Sequence, residues 1–206
     1  MILAAIKLAK MAHEGQVRRF TREDYIVHPA RVATQVGFLD YATEEMVAAA
    51  WLHDVIEDTT FGYADIEKGT NKTVADLVLE LTFDEARHKD LSYAGRKAIQ
   101  NSHIASASFE AKSIKILDRL DNLADFAKTV LTGDCERSKL ERYVKTSWEL
   151  QDALVKANTY KAGSGIGRSN VDETLLCHLQ ATCIRLNRNY NLGIKNIPQG
   201  HTNEQI

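Results

Sequence analysis

Ala48-Ala-Ala-Trp-Leu-His53-Asp54-Val-Ile-Glu57-Asp58-Thr59 is the stretch on which the fold and the chemistry of this chain turn. Its first part continues an apolar run that starts at Met46, and Val47, Ala50 and Trp51 recur at helical spacing. Thr43 is a good N-cap residue, with Glu44 and Glu45 suited to a first turn. A helix is therefore expected from just after Thr43 to about Ile56. Residues four apart share a helix face, so His53 would stand above Glu57 and Asp54 above Asp58. Burying four such groups is costly unless they are paired or bind a metal. A divalent cation removes that cost. Read alone, a solvated helix end followed by an acidic loop accounts for the same residues.

Working outward, helical patterns dominate. The sequence has two prolines, Pro29 and Pro198, and no sustained period-two alternation between hairpin turns. Ile2, Ile6 and Ala9 mark a first helix over 2–14, followed by a polar turn from Gly15 to Tyr25. A second helix is expected from Pro29 to Phe38, with proline in its first turn. A short helix over 63–68 and longer ones over 72–82, 91–103, 111–131, 136–160 and 172–191 complete the pattern. The expected fold class is all-α, a helical bundle in a single domain, since 206 residues suffice for one core. Gly163-Ser-Gly-Ile-Gly167 reads as a connector: it lacks a preceding strand and is not a GxGxxG pattern. The division expected is a main domain over 1–160, with a C-terminal helix and a frayed polar tail from Gly193 over 161–206, packed on the same domain.

Composition bounds the function. A formal net charge of -2 gives no global basic field for duplex nucleic acid, so any phosphate binding falls to local basic clusters. Cys135, Cys177 and Cys183 form no CxxC pair, which suits a reducing, cytoplasmic location rather than a disulfide framework. No apolar run reaches membrane-spanning length. Met1-Ile-Leu-Ala-Ala-Ile-Lys7 lacks the basic start of a signal peptide, and Lys7 and Lys10 break its apolar stretch.

Further candidates lie elsewhere. His28 stands in Tyr25-Ile-Val-His28-Pro29; a lone histidine there is more often a cap or a packed residue. Asp118, Asn122 and Asp125 share one face of a helix whose other face is Ile116, Leu120, Leu123 and Ala127. By periodicity alone that polar stripe is an ordinary solvated one.

The joint order of His13-Glu-Gly-Gln-Val-Arg18-Arg19, Tyr25-Ile-Val-His-Pro29, Ala48 to Thr59 and Lys115-Ile-Leu-Asp-Arg-Leu-Asp-Asn122 resembles the HD hydrolase domain of RelA/SpoT enzymes. It is most similar to their stand-alone small alarmone hydrolases, over about residues 1–160. The resemblance implies that His28, His53, Asp54 and Asp118 are metal ligands. Such a mixed N/O set suits Mn²⁺, Fe²⁺ or Zn²⁺, and the family implies Mn²⁺. Glu57 and Asp58 match the family's catalytic acidic pair, placed to orient water and shuttle a proton. Arg18 and Arg19 match a basic pair that contacts the nucleotide, Asn122 a residue that touches its sugar or base, and Lys97, with Arg96, a basic pair that meets phosphates. Tyr143 matches a tyrosine on a closing helix.

The implied activity is hydrolysis of the 3′-pyrophosphate of ppGpp, giving GDP and pyrophosphate. Alternatives are another phosphorylated nucleotide, such as the 2′-phosphate of NADPH or an adenine alarmone, and a catalytically inactive nucleotide-binding module. The chain departs from the family at Asp121, where His or Tyr is usual, at Ala124, where a basic residue is common, and in a short insertion between His103 and Asp118. Asp121 adds negative character near a polyanionic ligand. His88, His103, His178 and His201 match no motif, and pairing of the chain with itself stays open because no heptad seam declares it.

Overall fold

A computed structural model describes residues 1–162 and 170–198. Among the described residues are ten α-helices and no strand: α1 (Ile2–Ala12), α2 (Val27–Gly37), α3 (Glu44–Leu52), α4 (Val55–Asp58), α5 (Tyr63–Gly69), α6 (Lys72–Leu81), α7 (Tyr93–Ser106), α8 (Phe109–Thr132), α9 (Arg137–Ala162) and α10 (Glu173–Asn189), with a 3₁₀ turn at Glu85–His88. The all-α reading therefore holds. The polar loop after α1 is closed by a single bridge between Val17 and Asp24.

α3 sits at the centre, packed against α1, α2, α6 and α8. Ala48, Ala49 and Ala50 are completely buried, and three small side chains in succession let neighbours approach on more than one side. Ala5 and Ala9, Val32 and Val36, Val74 and Val78, and Ile114 and Ile116 fill the surrounding space. Full burial of each larger aliphatic side chain contributes roughly 1.5–3 kcal/mol. Leu140, Val144 and Leu154 of α9 pack with Leu176, Leu179 and Cys183 of α10 as part of the same core, which makes the fold one domain. Thr43 caps α3 as expected, accepting from Met46 N at 3.2 Å. Gly133 ends α8 with φ +82°, a left-handed conformation in which a Cβ would be strained.

Three local features differ from the periodicity-based expectation. The central helix is interrupted at His53 and Asp54, between α3 and α4. The cause is visible in the hydrogen bonds: His53 Nδ1 donates to Ala50 O at 2.8 Å, the carbonyl that an uninterrupted helix would offer to Asp54 N. His53 and Glu57 consequently do not form the continuous helical stripe that spacing implied. Second, α2 starts at Val27, so Pro29 is its third residue; proline is tolerated there because first-turn N–H groups lack helical partners anyway.

Third, the start of the C-terminal tail is packed. Leu192, Ile194 and Ile197 are buried, and Asn187 Oδ1 accepts from Ile194 N at 3.2 Å. The Gly163–Gly167 connector, His201 and the rest of the tail from 199 lie outside the described residues.

Candidate metal centre and its cavity

The packing of α2, α3 and α8 brings three distant stretches together. His28 lies in the first turn of α2, His53 closes α3, Asp54 opens α4 and Asp118 lies in the middle of α8. His28 Nε2 and His53 Nε2 are 3.2 Å apart. Asp118 Oδ1 is 3.2 Å from His28 Nε2 and 3.8 Å from His53 Nε2. Asp54 Oδ2 is 3.1 Å from His53 Nε2 and 3.6 Å from His28 Nε2. One donor atom each from His28, His53 and Asp118 thus lies within 4.8 Å of the other two, and Asp54 Oδ2 stands beside both imidazoles. Metal–ligand bonds of about 2.0–2.2 Å place neighbouring donors roughly 3–3.5 Å apart, which these separations approach.

The hydrogen bonds on the far sides of the two imidazoles test the fit. A carbonyl only accepts, so the contact with Ala50 O puts a proton on His53 Nδ1. His28 Nδ1 lies 2.7 Å from Asp121 Oδ2, and Arg31 grips the same carboxylate with Nε at 2.7 Å and Nη2 at 2.9 Å. Burial opposes ionisation of Asp121, but its bonds to His28 and Arg31 hold its carboxyl below the usual range. An ionised carboxylate only accepts, so the proton of His28 also lies on Nδ1. In the neutral rings, both Nε2 lone pairs then face each other across 3.2 Å, beside two carboxylates. That arrangement is repulsive without a proton or a cation between them. Burial works against a charged His53, yet Asp54 and Asp118 outweigh it and hold its pKa well above the ordinary value. Two imidazoles and two carboxylates form a donor set that fits a divalent cation of the borderline type.

The two remaining acids are held differently. Burial raises the pKa of Glu57, partly countered by Lys115 and by the bond that its Oε1 accepts from Phe83 N. Asp58 is bonded to Tyr25, whose hydroxyl lies 2.8 Å from Asp58 Oδ2 and 2.7 Å from Asp54 Oδ2. One hydroxyl hydrogen serves one carboxylate at a time. Burial and then the Asp54 charge raise the pKa of Asp58.

A cavity of about 390 Å³ opens beside Asp54, Glu57 and Asp118. All five substrate contacts expected from the sequence, Arg18, Arg19, Lys97, Asn122 and Tyr143, line it. Asp58 does not; it borders a neighbouring cleft together with Glu57. Arg18 is fixed by Asp125 Oδ2 at 3.0 Å and Asn122 Oδ1 at 2.6 Å. Phe20 and Phe126, with ring centroids 5.3 Å apart, border the cavity near Arg18.

Motif matching alone does not single out four neighbours of the centre and its cavity: Tyr25, Arg31, Lys115 and Arg119. Lys115 Nζ lies 2.8 Å from Asp118 Oδ2, and Lys115 and Arg31 each stand three residues from a candidate ligand on the same helix, a spacing that was available as a signal. Among the leftover histidines, His103 Nε2 bonds Glu80 O at 2.8 Å, His88 stacks on Phe83 and His178 is exposed.

The all-helical fold and the His-Asp site define an HD domain, and the profile of the HD domain family matches residues 5–148; the chain belongs to that family. It is 34% identical over 144 residues to the guanosine-3′,5′-bis(diphosphate) 3′-pyrophosphohydrolase MESH1 of Drosophila melanogaster, covering 69% of this chain and 78% of the relative. It is 37% identical over 154 residues to the bifunctional (p)ppGpp synthase/hydrolase SpoT of Escherichia coli, covering 73% of this chain and 20% of that longer protein. A solved structure described as a metazoan ortholog of SpoT that hydrolyzes ppGpp superposes with a TM-score of 0.70 and 28% identity, covering 93% of this chain and 96% of that one. Among the described residues, no helix is long and apolar enough to cross a membrane.

Proposed function

We propose that this chain is a metal-dependent phosphohydrolase that removes the 3′-pyrophosphate of ppGpp, producing GDP and pyrophosphate. The observation that carries the reading is the convergence of His28 Nε2, His53 Nε2 and an Asp118 oxygen, with Asp54 beside the two imidazoles and both rings oriented from behind. His28, His53, Asp54 and Asp118 are the proposed ligands, and the mixed donor set favours Mn²⁺, with Fe²⁺ and Zn²⁺ as the competitors. When bound, such a cation lowers the pKa of a water and screens the phosphate charge.

The chain's own residues supply the rest. Glu57, whose carboxyl has a raised pKa, takes a proton from the attacking water. The water oxygen bonds to the phosphorus nearest the ribose, the bond from that phosphorus to the 3′ oxygen breaks, and this oxygen leaves with a proton as the 3′-hydroxyl of GDP. Asp58 reaches Asp54 through Tyr25 and supplies a second proton-holding group beside the centre. Arg18 and Asn122 steer the nucleoside, with Arg19, Phe20 and Phe126 providing faces on which a base can stack.

Two features support ppGpp over a less charged substrate. Lys97 lines the cavity as a cation for phosphate. Asp121, a departure from the family pattern, does not line it; its charge is spent on His28 and Arg31. Incubation with Mn²⁺ and ppGpp is expected to release pyrophosphate stoichiometrically with GDP. Rapid turnover of the NADPH 2′-phosphate or an adenine alarmone, with ppGpp untouched, would reassign the substrate. The lack of a membrane-spanning helix among the described residues and the three free cysteines support a cytoplasmic enzyme.

A further inference from the structure

A second cavity, of about 250 Å³, lies between α2, α8 and α10 and shares no lining residue with the substrate cavity. Its floor is apolar, built from Leu120, Leu123 and Ala127 of α8 and Leu186 of α10. His178, Thr182 and Arg185 share one face of α10 by helical spacing and line it as well. Asp121 and Ala124, two positions where the chain departs from the family pattern, both belong to its α8 wall. Ala124 is exposed and brings only a methyl group to the rim.

The polar groups of this cavity are unevenly satisfied. Thr182 is 6% exposed, and its buried hydroxyl has no partner among the described residues. A helical threonine can give its hydrogen to the carbonyl four residues back, as Thr34 does to Ala30 O at 2.8 Å and Thr129 to Asp125 O at 3.0 Å. Thr182 makes no such bond, so a buried donor stands beside the cavity unused. Arg185 is exposed at the rim and makes no ion pair among the described residues. Asp121 is the one acid of the lining among those residues, and His28 and Arg31 already hold both its oxygens. The charge left without a counter-charge is therefore positive.

We propose that this cavity is an effector site for a small carboxylate that carries one apolar ring. The carboxylate accepts from Arg185 at the rim and from the Thr182 hydroxyl, and the ring lies on Leu120, Leu123 and Leu186. The volume falls below the ~300–1,000 Å³ of sites for drug-sized ligands, which limits the guest to a single ring. Asp121 in the α8 wall disfavours a doubly charged phosphate head. It is also the link to the metal centre, because it lines the cavity while its Oδ2 holds His28 Nδ1 at 2.7 Å. A guest packed against α8 restricts Asp121 and with it the His28 ring, and so tightens metal binding. By linkage, the metal tightens the guest by the same factor.

The test is calorimetric titration of the full chain, stripped of metal with EDTA, with benzoate as the probe. Benzoate is expected to bind about tenfold more tightly than acetate, which lacks the ring, or benzyl alcohol, which lacks the charge. Arg185→Met is expected to weaken benzoate about tenfold and Thr182→Val about threefold. Thr182→Val should melt at or above the wild-type Tm, because an unpaired buried hydroxyl gives way to a methyl group, so its lost affinity is not a folding defect. Benzoate binding no better than that of acetate, or unchanged in both variants, would overturn the proposal. So would a loss of benzoate binding in Arg18→Met, which would place the probe in the substrate cavity. At saturating benzoate the Mn²⁺ Kd, read by competition with a chelator, is expected to fall about fivefold or more, and Arg185→Met to abolish the shift. An unchanged Kd, or a shift that persists in Arg185→Met and so reports benzoate on the metal itself, would remove the effector role.

Discussion

The two ends of one cavity are built on opposite principles. At the His28–His53 end each side chain is held by a second group: Ala50 O behind His53, Asp121 behind His28 and itself gripped by Arg31, Lys115 beside Asp118, and Tyr25 on Asp54. At the Arg119–Lys97 end neither cation makes an ion pair among the described residues, and Arg119 Nε is buried with no partner among them. The first end is pre-organised by the protein, so its geometry does not wait for ligand. The difference teaches that a pocket can be rigid where it must aim atoms and electrostatically unsatisfied where it must attract them.

The largest break in this contrast is expected from the pre-organised end. His53→Ala should lose the metal altogether, read by metal analysis of purified protein, and pyrophosphate release from ppGpp should vanish with it. Glu57→Ala should keep the metal and lose turnover by about 10²–10⁴-fold, as expected for a general base. Equal metal loss in both variants would mean that Glu57 is a ligand rather than a base.

Next in size is Asp121→Asn. An amide in place of the carboxylate weakens the hold on His28 and releases Arg31, so metal affinity should fall about 10–100-fold in competition with a chelator. An unchanged metal Kd would show that packing of α2 alone orients His28. Smaller again, Arg18→Met should raise KM for ppGpp about tenfold with metal content intact, since Arg18 lies on the nucleoside side and its partners Asp125 and Asn122 remain.

The smallest effect concerns pH. The folded chain holds the Glu57 proton more tightly than an unfolded one, whose carboxyl titrates near 4.5. Stability from this group is therefore greatest below that value and falls as pH rises through the raised folded pKa. Glu57→Gln should flatten this slope in denaturant titrations between pH 4 and pH 7. A steeper slope in the variant would show that Glu57 is stabilised as the anion in the fold.

Much of this was legible in the chain itself. Helical spacing located the helices within a few residues, and Thr43 was readable as a cap because a side-chain oxygen beside a first turn acts locally. The acids and histidines of the centre were recognisable as a joint motif. The interruption at His53 was not, because it depends on an imidazole competing for a main-chain carbonyl. Nor was the packing of Ile194 and Ile197, since a short polar-looking tail gives no periodic signal. Arg119 looked like one basic residue among others, and Asp121 like a liability next to a charged substrate.

What the sequence by itself determined was local: helix propensity, caps, and the presence of the right side chains at fixed offsets along single helices. Which of those side chains meet was decided by tertiary packing. His28 and Asp118 are ninety residues apart, and only the stacking of α2 and α8 on a small-residue α3 brings their atoms to 3.2 Å. The same packing gave Asp121 an arginine and left Arg119 without an acid, because burial decides which charges have partners and which must wait for one.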